Sequence, residues 1–142
     1  MGIPGTGKST FYQKYLKKDF TRVNLDTLIT RKKESTLIKK LFKEGKSFAT
    51  DNTNCSIEDR NRYIPEAKMQ GYRIIGYYFE LDLDACLKRN KRRRGKNRVP
   101  EWRIIGFYYT LIHNKPSYNE GFYEINTVIN DDKEMIITEY IE

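Results

Sequence analysis

The sequence predicts an α/β fold in which helices cover the faces of a parallel sheet. Three observations predict it: strand-like and helix-like segments alternate along the 142 residues, a glycine-rich loop precedes the first helix, and an aspartate ends each of the first two strand segments. Ligands bind such sheets beyond the carboxyl ends of the strands. The loop, Asp26 and Asp51 are therefore expected at one edge.

The first half of the chain supplies the elements around this edge. Apolar residues at helical spacing predict a helix over residues 8–18, and "TRVNLD" is typical of a short strand that ends in a carboxylate. "STLIKKLFKEG" has one apolar face and ends at Gly45, as a second helix would. "SFATDNTN" predicts a second strand that again ends in an acid.

The second half repeats the alternation. Ser56 and Asp59 form a possible capping box for a helix that runs to Gly71, and "YRIIGYYFEL" is the strongest strand segment. "LDACLKRNKRRR" and "VPEWRIIGFYYTLIHNK" predict two helices, the second beginning near Pro100. "GFYEINTVIN" alternates like a last strand, and "EMIITEYIE" is a further strand or a short helix.

Composition indicates one domain over residues 1–142, since the length and the 38% of hydrophobic residues suit a single core. Cys55 and Cys86 match no metal-binding spacing, which favours a reducing, cytoplasmic location. The sequence has one histidine, His113, which argues against a Ser-His-Asp triad and against a histidine-rich metal site. We expect His113 to be an ordinary helix residue. Trp102 and most tyrosines are expected to pack rather than to stack on bases.

The net charge of +8 comes from one segment. "KRNKRRRGKNR" carries eight basic residues and no acid, whereas the other 19 lysines and arginines balance the 19 acidic residues. One phosphate-facing element explains this better than a generally basic surface. A solvated cluster, a nuclear-localisation signal or a nonspecific nucleic-acid patch remain alternatives.

The loop at the start matches the phosphate-binding pattern G-x-x-x-x-G-K-[ST] at every fixed position. Its N–H groups would surround phosphate oxygens, Lys8 would reach the β- and γ-phosphates of ATP, and Ser9 would hold Mg²⁺. The alternative is a glycine turn before an ordinary helix. The residues expected to bind the nucleotide here are Gly2, Pro4, Gly5, Thr6, Gly7, Lys8, Ser9 and Thr10.

Taken in order, "GIPGTGKSTF", "VNLDTL", "DNTN", "RNRY", "AKMQGY", "CLKRNKRR", "VP" and "EGFYEI" resemble the polynucleotide 5′-hydroxyl kinase family, from Gly2 to about Val128. The resemblance implies an adenylate-kinase-like, AAA-type P-loop kinase fold. That fold has three layers around a parallel sheet and a basic lid, here about residues 88–99. It also implies transfer of the γ-phosphate of ATP to a 5′-hydroxyl of DNA or RNA.

The resemblance also implies roles for single residues. Asp26 aligns with the general base, although an N-cap of the following helix is an alternative. Asp51 would hold a magnesium-bound water, and Asn52, Thr53 and Asn54 would shape the acceptor side; the alternative is an Asx-type turn. Within the lid, Arg89, Arg93 and Arg94 would neutralise the ATP phosphates.

Two departures from the family pattern affect these expectations. The family carries an arginine three residues after the aspartate, where this chain has Ile29, with Arg31 two positions later. The residues that form the family's first central strand do not precede the loop in this sequence. We therefore expect a fold without that strand, explained either by an upstream start of the native chain or by a replacement strand such as "MIITEYI". A P-loop kinase for a small molecule or a tRNA-linked acceptor, and a nucleotide-binding module without phosphoryl transfer, stay open as alternative functions.

Overall fold

The computed structural model describes residues 1–142, which divide into two compact units. The small unit comprises Lys8–Asn52, and the large unit comprises Met1–Gly7 together with Thr53–Glu142. Both contain parallel strands and helices, so the chain has the α/β class that the sequence predicts. Whether residues 1–142 act as one domain stays a prediction.

The small unit is built on two short parallel strands. Helix α1 covers Lys8–Phe11 and continues as a π-helical turn over Tyr12–Leu16. Strand β1 (Thr21–Val23) pairs with β2 (Phe48–Thr50), so that Val23 lies opposite Thr50. Between them lie α2 (Leu25–Leu28) and α3 (Arg31–Lys43); α3 is capped by the Thr30 side chain and followed by Gly45 at φ +64°.

The large unit contains the longer sheet. Strand β3 (Ile75–Phe79) is parallel to β4 (Glu124–Asn130), and β5 (Met135–Glu139) is antiparallel to β4. Helices α4 (Ile57–Asn61), α5 (Ile64–Met69), α6 (Leu83–Lys91) and α7 (Glu101–His113) complete it, with 3₁₀ turns at Gly95–Asn97 and Tyr118–Glu120. The capping box of Ser56 and Asp59 is confirmed.

The core of the large unit lies between this sheet and α6 and α7. Residues from the loop, the sheet and both helices are buried there together, which places the start of the chain inside the unit. They are Ile3, Cys55, Tyr78, Cys86, Ile104, Leu111, Ile125 and Tyr140.

Met1 pairs with β3 as a strand residue would. Its N-terminal ammonium donates to the Tyr77 carbonyl at 2.5 Å, and its own carbonyl accepts from the Phe79 N–H at 2.9 Å, which is the pattern of a parallel ladder. The Gly2 N–H donates to the Thr53 carbonyl at 3.0 Å. The expectation that "MIITEYI" replaces the central strand is wrong, because that segment is β5 and pairs with β4.

Two further expectations from the sequence are corrected by the structure. The strand predicted through Asp26 ends at Val23, since Asn24 turns the chain into α2 and caps it by accepting from the Thr27 N–H. The side chain of Trp102 is not packed: the residue is 74% exposed in the first turn of α7.

Candidate functional site

In the large unit, residues 2–7 form a tight loop that glycine alone permits at two positions. Gly5 and Gly7 have φ values of +94° and +99°. A Cβ at Gly5 would lie 2.7 Å from the Cys86 carbonyl oxygen, and one at Gly7 would lie 2.6 Å from the Asn130 amide nitrogen. Left-handed backbone and this close approach exclude larger residues.

Side chains from α6 and β4 hold the carbonyl groups of this loop. The Arg89 guanidinium donates to the Gly5 carbonyl at 3.0 Å, and the Asn130 amide donates to the Thr6 carbonyl at 2.9 Å. The carbonyls of Gly5 and Thr6 are therefore satisfied by side chains of the protein itself. The N–H groups of Gly5 and Gly7, in contrast, have no hydrogen-bond partner. Such an array of unpaired N–H groups suits an anion.

Arg89 therefore contacts the loop rather than open solvent. Besides Gly5 it donates to the Asn130 carbonyl at 3.1 Å and forms an ion pair with Asp132 at 2.7 Å. Two backbone N–H groups also fix the end of β4: that of Asp132 donates to the Asn130 side chain, and that of Glu134 donates to the Asp131 carboxylate. The hydrogen bond from Arg89, and then its charge, lower the pKa of Asp132. The sequence did not indicate that Asn130 belongs to this arrangement.

The basic segment begins on α6 and returns at α7, and a buried asparagine closes its base. The Asn90 amide donates to the Val99 carbonyl at 2.7 Å and its oxygen accepts from the Val99 N–H at 3.0 Å. Asn90 is completely buried, whereas Arg93 and Arg94 between these two points are exposed. The segment predicted as a lid is thus a closed loop that presents its arginines to solvent.

In the small unit, α1 begins at Lys8, directly after the loop in the chain. Ser9 and Thr10 occupy its exposed first turn. The Ser9 hydroxyl accepts from Arg22 Nη2 at 2.9 Å. The same nitrogen lies 2.6 Å from Asp51 Oδ2, and Arg22 Nε donates to that oxygen at 2.7 Å. The two predicted magnesium ligands therefore contact the same nitrogen of one guanidinium group.

Asp51 is buried at the end of β2, with 7% of its side chain exposed. Asn24, at the end of β1, donates through its amide to the Asp51 backbone carbonyl. Because the two parallel strands end side by side, Asn24 and Asp51, which follow them, meet at this edge. The sequence had suggested Asp26 rather than Asn24 at the end of β1. Arg22 was not anticipated from the sequence. The signal that could have suggested it is its place on β1, because the carboxyl end of this strand was expected at the site.

Asn52 connects this cluster to α2. Its side-chain oxygen accepts from the Leu25 N–H at 2.9 Å, and its amide donates to Glu34 at 3.2 Å. Glu34 is buried and also pairs with Arg31 at 2.9 Å. Hydrogen bonds thus join Ser9 to Arg22, Arg22 to Asp51 and Asp51 to Asn24. Asn52, which follows Asp51 in the chain, binds Leu25, which precedes Asp26.

Asp26 lies in the first turn of α2, exposed and without a hydrogen bond to its side chain. It does not cap the helix, because Asn24 does so. An exposed carboxylate that serves no cap and no ion pair is available to a ligand. Its role as a base stays a prediction.

The remaining acceptor-side residues, Thr53 and Asn54, belong to the large unit. The Thr53 carbonyl accepts from Gly2, and Asn54 has a φ of +48°. Asn54 and Cys55 offer their carbonyls to Arg60, at 3.2 and 3.4 Å. These contacts support the turn itself and leave the proposed substrate role of this segment as a prediction.

Ser9 and Asp51 fit a magnesium ion by the chemistry of their donor atoms. Mg²⁺ prefers hard oxygen ligands such as a hydroxyl and a carboxylate, at about 2 Å. Both oxygens contact a single nitrogen, so the two side chains are neighbours in the structure. None of the helices combines the length and the apolar character that a membrane span requires.

Residues 34–104, which are half of the chain, match the model of the AAA domain family. The chain is also 30% identical over 133 residues to a protein of Acanthamoeba polyphaga mimivirus that bears the name bifunctional polynucleotide phosphatase/kinase. The match covers 90% of this chain but 32% of the viral protein, so the chain spans about a third of that relative.

Proposed function

We propose that this chain transfers the γ-phosphate of ATP to the 5′-hydroxyl end of a polynucleotide. The chain belongs to the AAA domain family, and it resembles polynucleotide kinase-like P-loop proteins. The observation that carries the proposal is the loop over residues 2–7. Its carbonyls are held by Arg89 and Asn130, and its N–H groups at Gly5 and Gly7 are left for an anion.

The nucleotide would bind with its phosphates on this loop. The backbone N–H groups of residues 5–8 would face the phosphate oxygens, and the Lys8 ammonium would neutralise the β- and γ-phosphates. Pro4 and the buried Thr6, whose hydroxyl donates to the Ile3 carbonyl at 3.0 Å, give the loop its shape before the ligand arrives. A preformed site avoids part of the ordering cost of binding.

Magnesium would be held by the Ser9 hydroxyl and, directly or through water, by Asp51. The ion would supply positive charge at the transferred phosphate. The side chains of this chain do the positioning: Asn24 holds the backbone of Asp51, and the strand pairing of Val23 with Thr50 fixes both.

Asp26 is the proposed general base. The acceptor hydroxyl would donate to its carboxylate, which receives the proton as the oxygen forms a bond to the γ-phosphorus and the bond to ADP breaks. Two features support this role: the carboxylate is exposed and free, and hydrogen bonds tie α2 to the Ser9–Asp51 cluster through Asn52. Positioned proton transfer of this kind contributes about 10²–10⁴-fold in rate.

Arg93 and Arg94 are proposed to stabilise the charge that develops on the transferring phosphoryl group. Both are exposed on the segment whose base Asn90 closes, and neither makes an ion pair or a hydrogen bond through its side chain. Arginine suits such a role because its planar group donates two parallel hydrogen bonds to phosphate oxygens. Arg89 would act through the loop, by holding Gly5.

A polynucleotide acceptor is favoured over a small molecule by two features. The viral relative bears the name of a polynucleotide phosphatase/kinase, and the net charge of +8 is concentrated in one segment. Arg31, Asn52, Thr53 and Asn54 are the proposed contacts to the acceptor. Binding of an oligonucleotide should weaken as salt rises, because cationic contacts release counterions from the nucleic acid.

A panel of acceptors tests the proposal. Protein, Mg²⁺ and γ-labelled ATP are incubated with 5′-hydroxyl oligonucleotides of DNA and RNA, with nucleosides, with sugars and with tRNA. We expect label on the oligonucleotides and a loss of about 10²–10⁴-fold in Asp26→Asn, with ATP binding retained. Asp84→Asn is the matched control, since Asp84 is also an exposed aspartate in the second position of a helix.

The other outcomes are informative. Label on a small molecule or on tRNA alone would show a P-loop kinase for another acceptor, which Ile29 in place of an arginine leaves possible. ATP binding without transfer to any acceptor would show a nucleotide-binding module. Equal activity of Asp26→Asn and Asp84→Asn would contradict the role of Asp26.

A further inference from the structure

Arg22 places a positive charge between the two side chains proposed to bind magnesium. It lies in the middle of β1, and its guanidinium contacts Ser9 Oγ at 2.9 Å and Asp51 Oδ2 at 2.6 Å through the same nitrogen. The group is also 5.5 Å from the centre of the Tyr12 ring, which supports it on the side of α1. It is 29% exposed, so the side chain has solvent on one side.

A metal ion and this guanidinium would use the same oxygen atoms. The serine hydroxyl that accepts from Arg22 has one lone pair committed to it, and the Asp51 oxygen accepts from Arg22 Nε and also lies 2.6 Å from Arg22 Nη2. A divalent ion at the same place would also be repelled by the guanidinium charge, because close like charges interact strongly where burial limits screening. Both cations therefore cannot occupy this position together.

We propose that Arg22 is an internal competitor of Mg²⁺, which holds Ser9 and Asp51 together without the metal and must leave them when the metal–nucleotide complex binds. The proposal rests on the function proposed above, in that it takes this pair of oxygens as the metal ligands. Arg22 is then a positioning residue that sets how much Mg²⁺ the site requires. Because the Arg22 side chain is partly exposed, its guanidinium can move into solvent when the metal binds.

The test measures the binding of a nonhydrolysable ATP analogue by calorimetry, in EDTA and over a series of Mg²⁺ concentrations. Arg22→Gln keeps a polar side chain but removes the charge. We expect the half-saturating Mg²⁺ concentration to fall by about tenfold, which is the order of a typical coupling between two binding equilibria, while affinity in EDTA stays within about twofold. Arg22→Lys keeps the charge but loses the planar guanidinium group. Its half-saturating Mg²⁺ concentration should lie between those of the wild type and of Arg22→Gln.

Arg73→Gln is the matched control. Arg73 also lies over a tyrosine ring, at 5.1 Å from the centre of Tyr123, but it belongs to the large unit. Its half-saturating Mg²⁺ concentration should equal that of the wild type. An unchanged value in Arg22→Gln would overturn the proposal, and so would an equal loss of affinity with and without Mg²⁺, which would make Arg22 a phosphate ligand.

A second readout separates this proposal from the proposed function. Thermal unfolding is followed with Mg²⁺ alone, and Arg22→Gln should be stabilised at lower Mg²⁺ than the wild type. A wild-type protein that binds no nucleotide would contradict the proposed function, yet the melting curves would still decide on Arg22. Equal Mg²⁺ dependence of the two curves would overturn the competition.

Discussion

Ile29 holds a backbone conformation that β-branched residues rarely adopt. Its φ and ψ are +71° and −41°, and the Thr30 N–H donates across it to the Leu28 carbonyl at 2.8 Å, which makes it the centre of a γ-turn. The side chain is 75% exposed, so no burial compensates the strain. The turn joins α2, which carries Asp26, to α3.

Replacement of Ile29 by glycine should stabilise the protein. Strain of this type amounts to about 1–3 kcal/mol, and the extra freedom of glycine in the unfolded chain costs about 0.5–1 kcal/mol. We expect Ile29→Gly to raise the free energy of unfolding by about 1 kcal/mol in urea denaturation. Ile141→Gly, at an exposed position without positive φ, is the control and should give no gain. A loss at Ile29 as large as at the control would contradict the strain.

Single residues of the candidate site could be predicted where the residue type and its place beside a loop or strand end point to the same role. The loop over residues 2–7 was evident because Gly5 and Gly7 supply backbone conformations that favour glycine, and Asp51 because it follows a strand. Arg22 and Asn130 were not, since their contacts join segments that are distant in the chain: Asn130 meets Thr6 across 124 positions. No local pattern reports such a contact.

At the scale of elements, Arg60 joins α4 to the 3₁₀ turn at residues 118–120. Its guanidinium makes two hydrogen bonds to Glu120, at 2.6 and 2.8 Å, and a third to the Asn114 carbonyl at 2.9 Å. Both side chains are buried, with 2% and 7% exposed. The "RNRY" segment that contributes to the family resemblance is thus a structural connection in this chain.

Removal of one partner from this pair should be costly. Arg60→Met or Glu120→Leu leaves a buried charge alone and should lower the free energy of unfolding by about 3–5 kcal/mol. The double variant should lose less than the sum of the two, because neither charge is then left unpaired. Urea denaturation of the four proteins measures this coupling.

The exposed pair of Lys91 and Glu101, at 3.7 Å, is the control for that cycle. Both side chains are largely in solvent, where an ion pair contributes about 0–1 kcal/mol. A coupling between Arg60 and Glu120 no larger than in this pair would show that the buried hydrogen bonds do not hold the two elements together.

Elements with strong local signals were predicted correctly, and those decided by neighbours were not. Helix α3 and strand β3 follow from periodicity, and Gly45 ends α3 as expected. The short strand β1 was extended too far, because Asn24 directly follows Val23 and caps α2, which begins at Leu25. Met1 takes a strand pairing with β3 that its sequence neighbours do not signal.

At the scale of the whole molecule, the sequence predicted the fold class but not the exposure of its aromatic residues. Trp102 is the single tryptophan and is 74% exposed, while Tyr78 and Tyr140 are buried with their rings edge to face, 5.5 Å apart. Alternation along β3 places Tyr78 toward the core, but only the packing of α7 decides that Trp102 stays outside.

Burial of Tyr78 should make the large unit sensitive to alkali. Burial above all, and then the neighbouring Tyr140, Glu80 and Tyr108, raise the pKa of Tyr78 to about 12 from an ordinary value of 10.0. Because the folded state favours the neutral phenol, its contribution to stability is complete below pH 10.0 and is lost as the pH rises toward about 12. Urea denaturation over this pH range should show a steeper loss for the wild type than for Tyr78→Phe, which keeps the ring and cannot ionise. Tyr123→Phe, at an exposed tyrosine, should follow the wild type. If Tyr78→Phe lost stability as steeply as the wild type, the ionisation of other groups would be responsible, and the buried phenol would not limit the fold at high pH.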